Sequence, residues 1–166
     1  MAEKTLRNLF IDELKDIYDA EHQLVKALPV MAEHAHSDDL KKAFKNHLSQ
    51  TKQHIKRVEE IFNQIDEKKE GRTCDGMKGI VHEGEQMMKN FSRSPALDAA
   101  LIAAAQKVEH YEMASYGSLR TYAQMLEIDG VADKLQSTLN EEGEANSILT
   151  KLALNGINAE ARASLE

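Results

Sequence analysis

The chain has 166 residues, of which 42% are hydrophobic, and a formal net charge of -7, so it is long enough for one domain with a sizeable core. The negative charge argues against nucleic acid or an anionic membrane surface as a partner, because both are themselves negative. The N-terminus lacks the apolar run of a secretory signal, and no segment approaches the roughly 18 apolar residues of a spanning helix, so we expect a soluble cytoplasmic protein without a membrane partner.

Helical periodicity and a composition dominated by good helix formers predict five helices in this chain. The first turn offers Ser37 or Asp38 as an N-cap. Residues 68–74 have no apolar period and predict a loop, in which the single cysteine, Cys74, is a spare thiol that fits a reducing compartment. The polar tail after Gly156 is expected to fray. The five helices run roughly from Lys4 to Ala35, from the first-turn cap to Lys68, from Asp75 to Asn90, from Ala96 to Glu127, and from Val131 to Asn155.

The connections between these helices predict the topology. Short turns make each pair of long helices antiparallel, whereas roughly 25 residues separate the two pairs, which is enough to cross the length of a bundle. We therefore predict an all-α fold, a ferritin-like four-helix bundle. Its two antiparallel hairpins are joined by a long crossover that contains the short extra helix, and residues 1–166 form a single domain.

Each long helix carries one apolar face, on which apolar residues recur at alternating steps of three and four. Each face is interrupted by glutamate or histidine, residue types that can bind metals. A carboxylate buried on such a face costs several kcal/mol or more unless it is protonated, paired or bound to a cation. None of the four faces contains a Lys or Arg that could pair with it. The interruptions are Glu21 in the first long helix, His47 and His54 in the second, Glu112 in the third and Glu142 in the fourth.

The register of the helices brings these interruptions to one level of the bundle. Counted outward from the first turn, Glu21 and His54 are almost equally distant, so they should face each other. Glu109 lies one turn before Glu112 and on the same side of its helix. The same number of residues separates Glu21 from His54 and Glu109 from Glu142, as a pseudo-twofold axis between the hairpins would produce.

These residue types predict a site for two divalent Fe or Mn ions, because four carboxylates balance two dications and imidazole supplies nitrogen. The usual carboxylate-bridged site takes Glu-x-x-His from two of its helices. Here threonine, Thr51, stands three residues before His54, and alanine, Ala145, stands three residues after Glu142. His47 is more often a satisfied core histidine than a ligand, and Glu141 and Glu144 are expected on a solvated face. The predicted metal ligands are Glu21, His54, Glu109, Glu112 and Glu142.

The run from Ala103 to Glu112, AAAQKVEHYE, resembles the hallmark segment of the YciF/YciE family of stress-response proteins, as do AEHQL from Ala20, HLSQT from His47 and TLNEE from Thr138. The resemblance covers roughly residues 5–155. It implies a ferritin-like, rubrerythrin-like bundle that is often a homodimer, is linked to bacterial stress and has no settled reaction. The family commonly has an acidic residue where this chain has Gln50. The resemblance carries over Glu21, Glu109, Glu112 and Glu142 as site residues, but not His54.

Two classes of function remain open from the sequence. In the first, the protein is a di-metal oxidoreductase or metal handler that meets a small oxidant, dioxygen or peroxide. In the second, it is a non-catalytic structural or stress dimer whose centre is degenerate and metal-free, with protonated carboxyls and histidines. Contributions from His47, Gln50, Glu141 and Asn146 to the site stay open, and no catalytic residue is assigned.

Apolar residues outside the four faces predict a homodimer that packs through the first two long helices, because they make a wider apolar surface than one core needs. These residues are Leu9, Val25, Leu48, Ile55 and Phe62.

Overall fold

The structure, a computed structural model, describes residues 4–163, and these residues form helices and turns with no strand among them. The all-α fold predicted from the sequence is confirmed, including the extra helix in the crossover. None of the helices within this range is long and apolar enough to cross a membrane. The helices are α1 (Leu6–His34), α2 (Asp38–Gln64), α3 (Asp75–Asn90), α4 (Leu97–Met125), α5 (Val131–Leu152) and α6 (Asn158–Ala163), with a π-helical segment (Ala153–Ile157) between α5 and α6.

The four long helices close into a ring. Helix α1 packs on α2 and α4, and α5 packs on the same two helices, so each long helix has two long neighbours. Helix α3 belongs to the crossover and lies against α1 and α4 on the outside of the bundle. The apolar faces meet inside this ring, which places their polar interruptions in the middle of the core.

Local caps start both helices of the first hairpin, and Ser37 is one of the two caps that the sequence predicts for α2. Thr5 and Asn8 form a capping box at the start of α1, and the Ser37 hydroxyl accepts the backbone N–H of Leu40 in the first turn of α2. The Asp98 carboxylate of α4 accepts the backbone N–H groups of His36 and Ser37 at 2.8 and 2.7 Å. This contact fixes the first turn to the other hairpin.

Two helices end earlier than the sequence indicates, each beside a residue in the left-handed region. Helix α2 ends at Gln64 rather than near Lys68, because Asp66 has a φ of 55°. Helix α4 ends at Met125, and Glu127, its predicted last residue, has a φ of 53°. A non-glycine residue rarely adopts this backbone conformation, and a right-handed helix cannot continue through it.

The end of the last long helix also differs from the prediction. Helix α5 ends at Leu152, and the π-helical segment that follows carries Gly156 at a φ of 150°, a conformation that glycine tolerates. The stretch after Gly156, which the sequence predicts to fray, contains α6, and Ile157 just before it is buried.

The outer apolar face of α1 and α2 is narrower than predicted. Phe62 is only 1% exposed and packs edge-on against the Tyr18 ring, so it belongs to the core of the single chain. Leu9 is 43% exposed, and Val25 and Leu48 are half-buried, as is Ile55. The predicted dimer surface therefore keeps four of its five residues.

Candidate metal centre

Six side chains from all four long helices meet in the middle of the bundle. Each of these residues, taken whole, is at most 5% exposed although each is ionisable. We refer to them below as the centre. They are Glu21 from α1, His47 and His54 from α2, Glu109 and Glu112 from α4, and Glu142 from α5.

The donor atoms of the centre fall into two groups, and within each group they lie within 4.8 Å of one another. The first group is His47, Glu109, Glu112 and Glu142, and the second is Glu21, His54 and Glu142. Glu142 belongs to both groups, so its two carboxylate oxygens lie between them. Two adjacent sites joined by one carboxylate are the arrangement that a pair of bridged metal ions requires.

The two histidines of α2 serve one group each. His47 Nε2 lies 3.3 Å from Glu109 Oε1 and 3.5 Å from Glu142 Oε2. His54 Nδ1 lies 2.8 Å from Glu142 Oε1 and 3.3 Å from Glu21 Oε1. Neither of these nitrogens makes a hydrogen bond of good geometry, despite the short distances. The nitrogens and carboxylate oxygens therefore converge without satisfying one another.

Unpartnered polar atoms are concentrated at the centre. Among the described residues, nine buried side-chain nitrogen or oxygen atoms have no hydrogen-bond partner. Eight of these atoms belong to the centre, and the ninth is Arg120 Nε. Each such atom costs about 1–3 kcal/mol in a folded protein. A metal ion removes that cost at oxygen and nitrogen atoms alike, and four carboxylates with two imidazoles suit Fe or Mn in charge and in donor type. The residues present therefore fit a pair of divalent ions.

The electrostatics of the centre without metal are unfavourable for its acids. Burial, and after it the negative charge of Glu142, raises the pKa of both Glu109 and Glu112 well above the ordinary value. Burial also raises the pKa of Glu21. Burial by itself lowers the pKa of His54, but its contacts with Glu142 and Glu21 outweigh burial and raise that pKa to about 10.

Residues around the centre hold two of its members in place. Glu141 accepts a hydrogen bond from His54 Nε2 at 2.7 Å and forms a two-pronged ion pair with Arg57 at 2.7 and 2.9 Å. The Tyr116 hydroxyl donates to Glu21 Oε1 at 2.5 Å. The prediction that Glu141 lies on a solvated face is wrong, because its carboxylate turns towards α2 to meet the two cations there.

The structure brings all five predicted ligands together, and it adds His47, which the sequence favours as a satisfied core histidine. Its Nε2 atom has no hydrogen-bond partner, and Gln50 Oε1 lies 3.4 Å from its Nδ1 atom. The position of His47 on the apolar face, two helical turns before His54, was the available signal. Asn146, which the sequence leaves open, bonds to Gln106 outside the centre. Glu144 is exposed, as predicted.

A second polar cluster lies outside the centre and contains the single cysteine. The Cys74 thiol is fully buried, caps the start of α3 and lies 3.0 Å from both Asp16 Oδ2 and the Tyr111 hydroxyl. Arg72 pairs with Asp16 on its other oxygen. Cys74 is thus a free cysteine just before a helix, as predicted, but its thiol is buried and has partners, so it is not spare. Burial raises the pKa of Cys74 to about 11. Helix α3 packs closely here, because a Cβ added at Gly76 would lie 2.7 Å from the Tyr111 ring.

Comparison with known proteins places this chain in a family. The model of the family described as "Domain of unknown function (DUF892)" matches residues 5–162. Protein YciF of Escherichia coli (strain K12) is 40% identical over 162 residues, which are 97% of this chain and 98% of YciF.

Solved structures give the same result at the level of the fold. The crystal structure of the E. coli stress protein YciF superposes with a TM-score of 0.89 at 39% identity, over 94% of this chain and 99% of that one. YcfI of Rhodopseudomonas palustris, described as a candidate structural protein, has a TM-score of 0.85 at 38% identity, over 89% of this chain and 94% of that one. A Xanthomonas campestris protein at 18% identity and a TM-score of 0.73, over 97% of this chain and 99% of that one, shares the fold alone. The family resemblance seen in the sequence is thus confirmed, and the chain belongs to the DUF892 family, with the stress protein YciF among its relatives.

Proposed function

We propose that this chain is a ferritin-like stress-response protein of the cytoplasm whose centre holds two Fe or Mn ions and handles a small oxidant, dioxygen or peroxide. One observation carries the proposal: the unpartnered buried polar atoms of the described residues belong, Arg120 Nε apart, to side chains that converge from four helices. The stress role rests on the relationship to YciF, which is described as a stress protein.

The residues that would hold the ions follow from the two groups of donor atoms. When bound, iron or manganese supplies changes of oxidation state and an open position for the oxidant. Glu142, which both groups share, would help to hold both ions. The first ion would be held by His47, Glu109, Glu112 and Glu142, and the second by Glu21, His54 and Glu142.

The surrounding side chains orient these ligands and place apolar groups next to much of the centre. Glu141 fixes the His54 ring so that Nδ1 faces the carboxylates, and Tyr116 fixes one oxygen of Glu21. Outer hydrogen bonds of this kind set the orientation and basicity of metal ligands. Apolar side chains on either side of the centre are at most 1% exposed; they include Ile17, Leu24, Val58, Leu119 and Leu135.

Elemental analysis of protein purified without chelator tests the proposal directly, and about two Fe or Mn ions per chain are expected. After removal of metal with a chelator, anaerobic addition of Mn²⁺ should raise the melting temperature by an amount that grows with the metal concentration. Glu112→Ala should abolish that rise. Glu144→Ala, which removes an exposed glutamate from the neighbouring helix, should leave it intact. Metal-free protein together with no Mn²⁺-dependent rise in the parent would overturn the proposal.

A second candidate function is a non-catalytic structural protein with a metal-free centre. It is favoured by the raised pKa values of Glu109 and Glu112, which make protonated carboxyls the natural state of an empty core, and by the description of YcfI. This candidate predicts that the melting temperature of the parent does not respond to Fe²⁺ or Mn²⁺, whereas the first candidate requires a response.

We also propose that the chain forms a homodimer through the outer face of α1 and α2. Leu9, Val25, Leu48 and Ile55 leave apolar surface on this side of the bundle. Light scattering at micromolar concentration is expected to give twice the mass of one chain. Leu9→Glu should lower that mass, whereas Met125→Glu, at a residue 71% exposed on α4, should not. A single-chain mass for the parent would contradict the dimer.

A further inference from the structure

We propose that the cleft between α2 and α5 is the path by which divalent metal ions and the small oxidant reach the centre. The proposal rests on the proposed metal function and adds to it the route, the face of the bundle and the residues that line the way. The cleft has a volume of about 420 Å³, and His47 and Glu109 of the centre form its inner end.

The inner end of the cleft presents ligand atoms that have no hydrogen-bond partner among residues 4–163. Glu109 Oε2 and His47 Nε2 are both buried and without a hydrogen-bond partner. The His47 side chain is 6% exposed and that of Glu109 is 2% exposed. Both therefore lie behind the protein surface and still line the cleft. An ion that moves inward through the cleft meets the donors of the first group before those of the second.

The walls of the cleft combine apolar side chains, such as Phe44 and Leu149, with small and polar ones. Ala43 of α2 and Ala145 of α5 stand where larger residues would close the gap between the two helices. The amide groups of Asn46 and Gln50 line the same walls. Amide oxygens can replace the waters of a hydrated ion one at a time, so the ion need not lose its whole hydration shell before it reaches the carboxylates.

The size and charge of the cleft suit a hydrated cation. Six waters at about 30 Å³ each, with the ion, occupy on the order of 200 Å³, which the cleft accommodates. Asp39 and Glu144 at the cleft are exposed carboxylates and outnumber its one exposed cation, Lys42, and the overall charge of the chain is also negative. Such a charge attracts cations and raises their association rate at low ionic strength.

A second cavity does not lead to the centre. It lies between α1, α3 and α4, has a volume of about 280 Å³, and no residue of the centre lines it. Its lining is largely apolar, with Leu24, Ile80 and Met88 among its residues. A cation entering there would meet Gln23, Glu85 and the positive charge of Lys26, but no ligand of the centre.

A matched pair of substitutions tests the route. Ala43→Leu narrows the cleft between α2 and α5, and Ala27→Leu makes the same change in the other cavity at an equally half-buried helix position. Chelator-treated full-length protein is mixed with Co²⁺ in a stopped-flow instrument, and the rate of uptake is followed by the visible absorption of bound Co²⁺. Elemental analysis after gel filtration gives the final metal content.

We expect Ala43→Leu to slow uptake at least about tenfold at unchanged final content, and Ala27→Leu to match the parent. Equal rates in all three proteins, or slowing by Ala27→Leu alone, overturn the route while the centre stands. A parent that binds no Co²⁺ overturns the centre itself, so the two failures are distinguishable.

Charge variants keep the proposal testable if Ala43→Leu does not fold. Asp39→Asn combined with Glu144→Gln changes exposed residues that are no part of the centre. The double variant should take up Co²⁺ several-fold more slowly at low salt and at the parent rate in high salt, where the Debye length is short. An unchanged rate at low salt counts against the route.

Discussion

Glu112→Gln is expected to stabilise the metal-free protein and to remove its response to metal. Glu112 is fully buried, and neither of its carboxylate oxygens has a hydrogen-bond partner. Burial and then the charges of Glu142 and Glu21 raise its pKa well above the ordinary value. Without metal, Glu112 must therefore either stay protonated at a pH well above its ordinary pKa or carry a negative charge close to other carboxylates.

The size of the effect follows from proton linkage. Holding a carboxyl protonated at about pH 7.5 against an ordinary pKa of about 4.3 costs about 4 kcal/mol. An amide at the same place removes that cost but leaves polar groups of its own without partners, at about 1–3 kcal/mol. We expect a net gain of about 1–3 kcal/mol for Glu112→Gln, which for a chain of this length raises the melting temperature by about 2–10 °C.

Thermal melting by circular dichroism in excess chelator measures this gain, and a second melt with Mn²⁺ measures the response to metal. At a metal concentration of 100 times Kd the parent should gain about 2.7 kcal/mol, and Glu112→Gln should gain far less. Glu144→Gln, at an exposed position, is the matched control and should behave as the parent does. The reasoning is refuted if Glu112→Gln melts at or below the parent temperature in chelator and still shows the full response to Mn²⁺.

Three further predictions concern the surroundings of the centre. Burial raises the pKa of Glu109, so the folded protein holds this proton more tightly than the unfolded chain does. The stability that Glu109 contributes is therefore fully present below its ordinary pKa and is lost as pH rises through its raised pKa. The chelator-treated protein should therefore melt at lower temperature as pH rises from about 5 to 8, and a rising trend would contradict this. Glu141→Gln weakens the hydrogen bond that orients its imidazole partner and should lower Mn²⁺ affinity by about 10–100-fold in calorimetric titration. Gly76→Ala forces its Cβ against the Tyr111 ring and should cost about 1–3 kcal/mol, whereas Gly79→Ala, which has open space, should not destabilise the fold; equal melting temperatures would exclude the close packing of α3.

The fold was predictable because its signals are local and repeated. An apolar face at steps of three and four, sustained over each long helix, leaves little choice but a bundle, and the lengths of the turns select its topology. The ends of helices were less predictable. Asp66 and Glu127 adopt the left-handed conformation, and nothing in their side chains distinguishes them from other acidic residues that continue a helix.

The carboxylates of the centre were predictable for a different reason. A glutamate such as Glu21 or Glu142 on an apolar face conflicts with the pattern around it, and only a partner removes the conflict. His47 produces no such conflict, because an imidazole is equally at home in a core and on a metal. Whether its Nε2 atom faces Glu109 depends on how α2 is rotated against α4 and α5, which is a tertiary property.

Glu141 shows the same limit more sharply. It lies off the apolar face, next to Glu142, and in the sequence it reads as one more solvated acid. Its role comes from a contact across two helices, where Arg57 and His54 of α2 both present donors to it. Sequence periodicity describes one helix at a time. It therefore identifies the residues that point into the core and misses residues at the edge of the core that contact a neighbouring helix.

The composition of the centre explains why its occupancy, rather than its fold, decides between the two candidate functions. Four carboxylates and two imidazoles come close to neutrality with two dications, and they come close to it again without metal when the acids with raised pKa, Glu109 and Glu112, keep their protons and His54 carries a charge. Both states leave the bundle intact. Metal binding at this centre is then an exchange of ions for protons, and its affinity must increase with pH because each acid that yields its proton becomes a ligand. The same buried acids destabilise the metal-free protein at neutral pH and make it bind a cation. A change that lowers the stability of the metal-free protein through these acids therefore raises its affinity for metal.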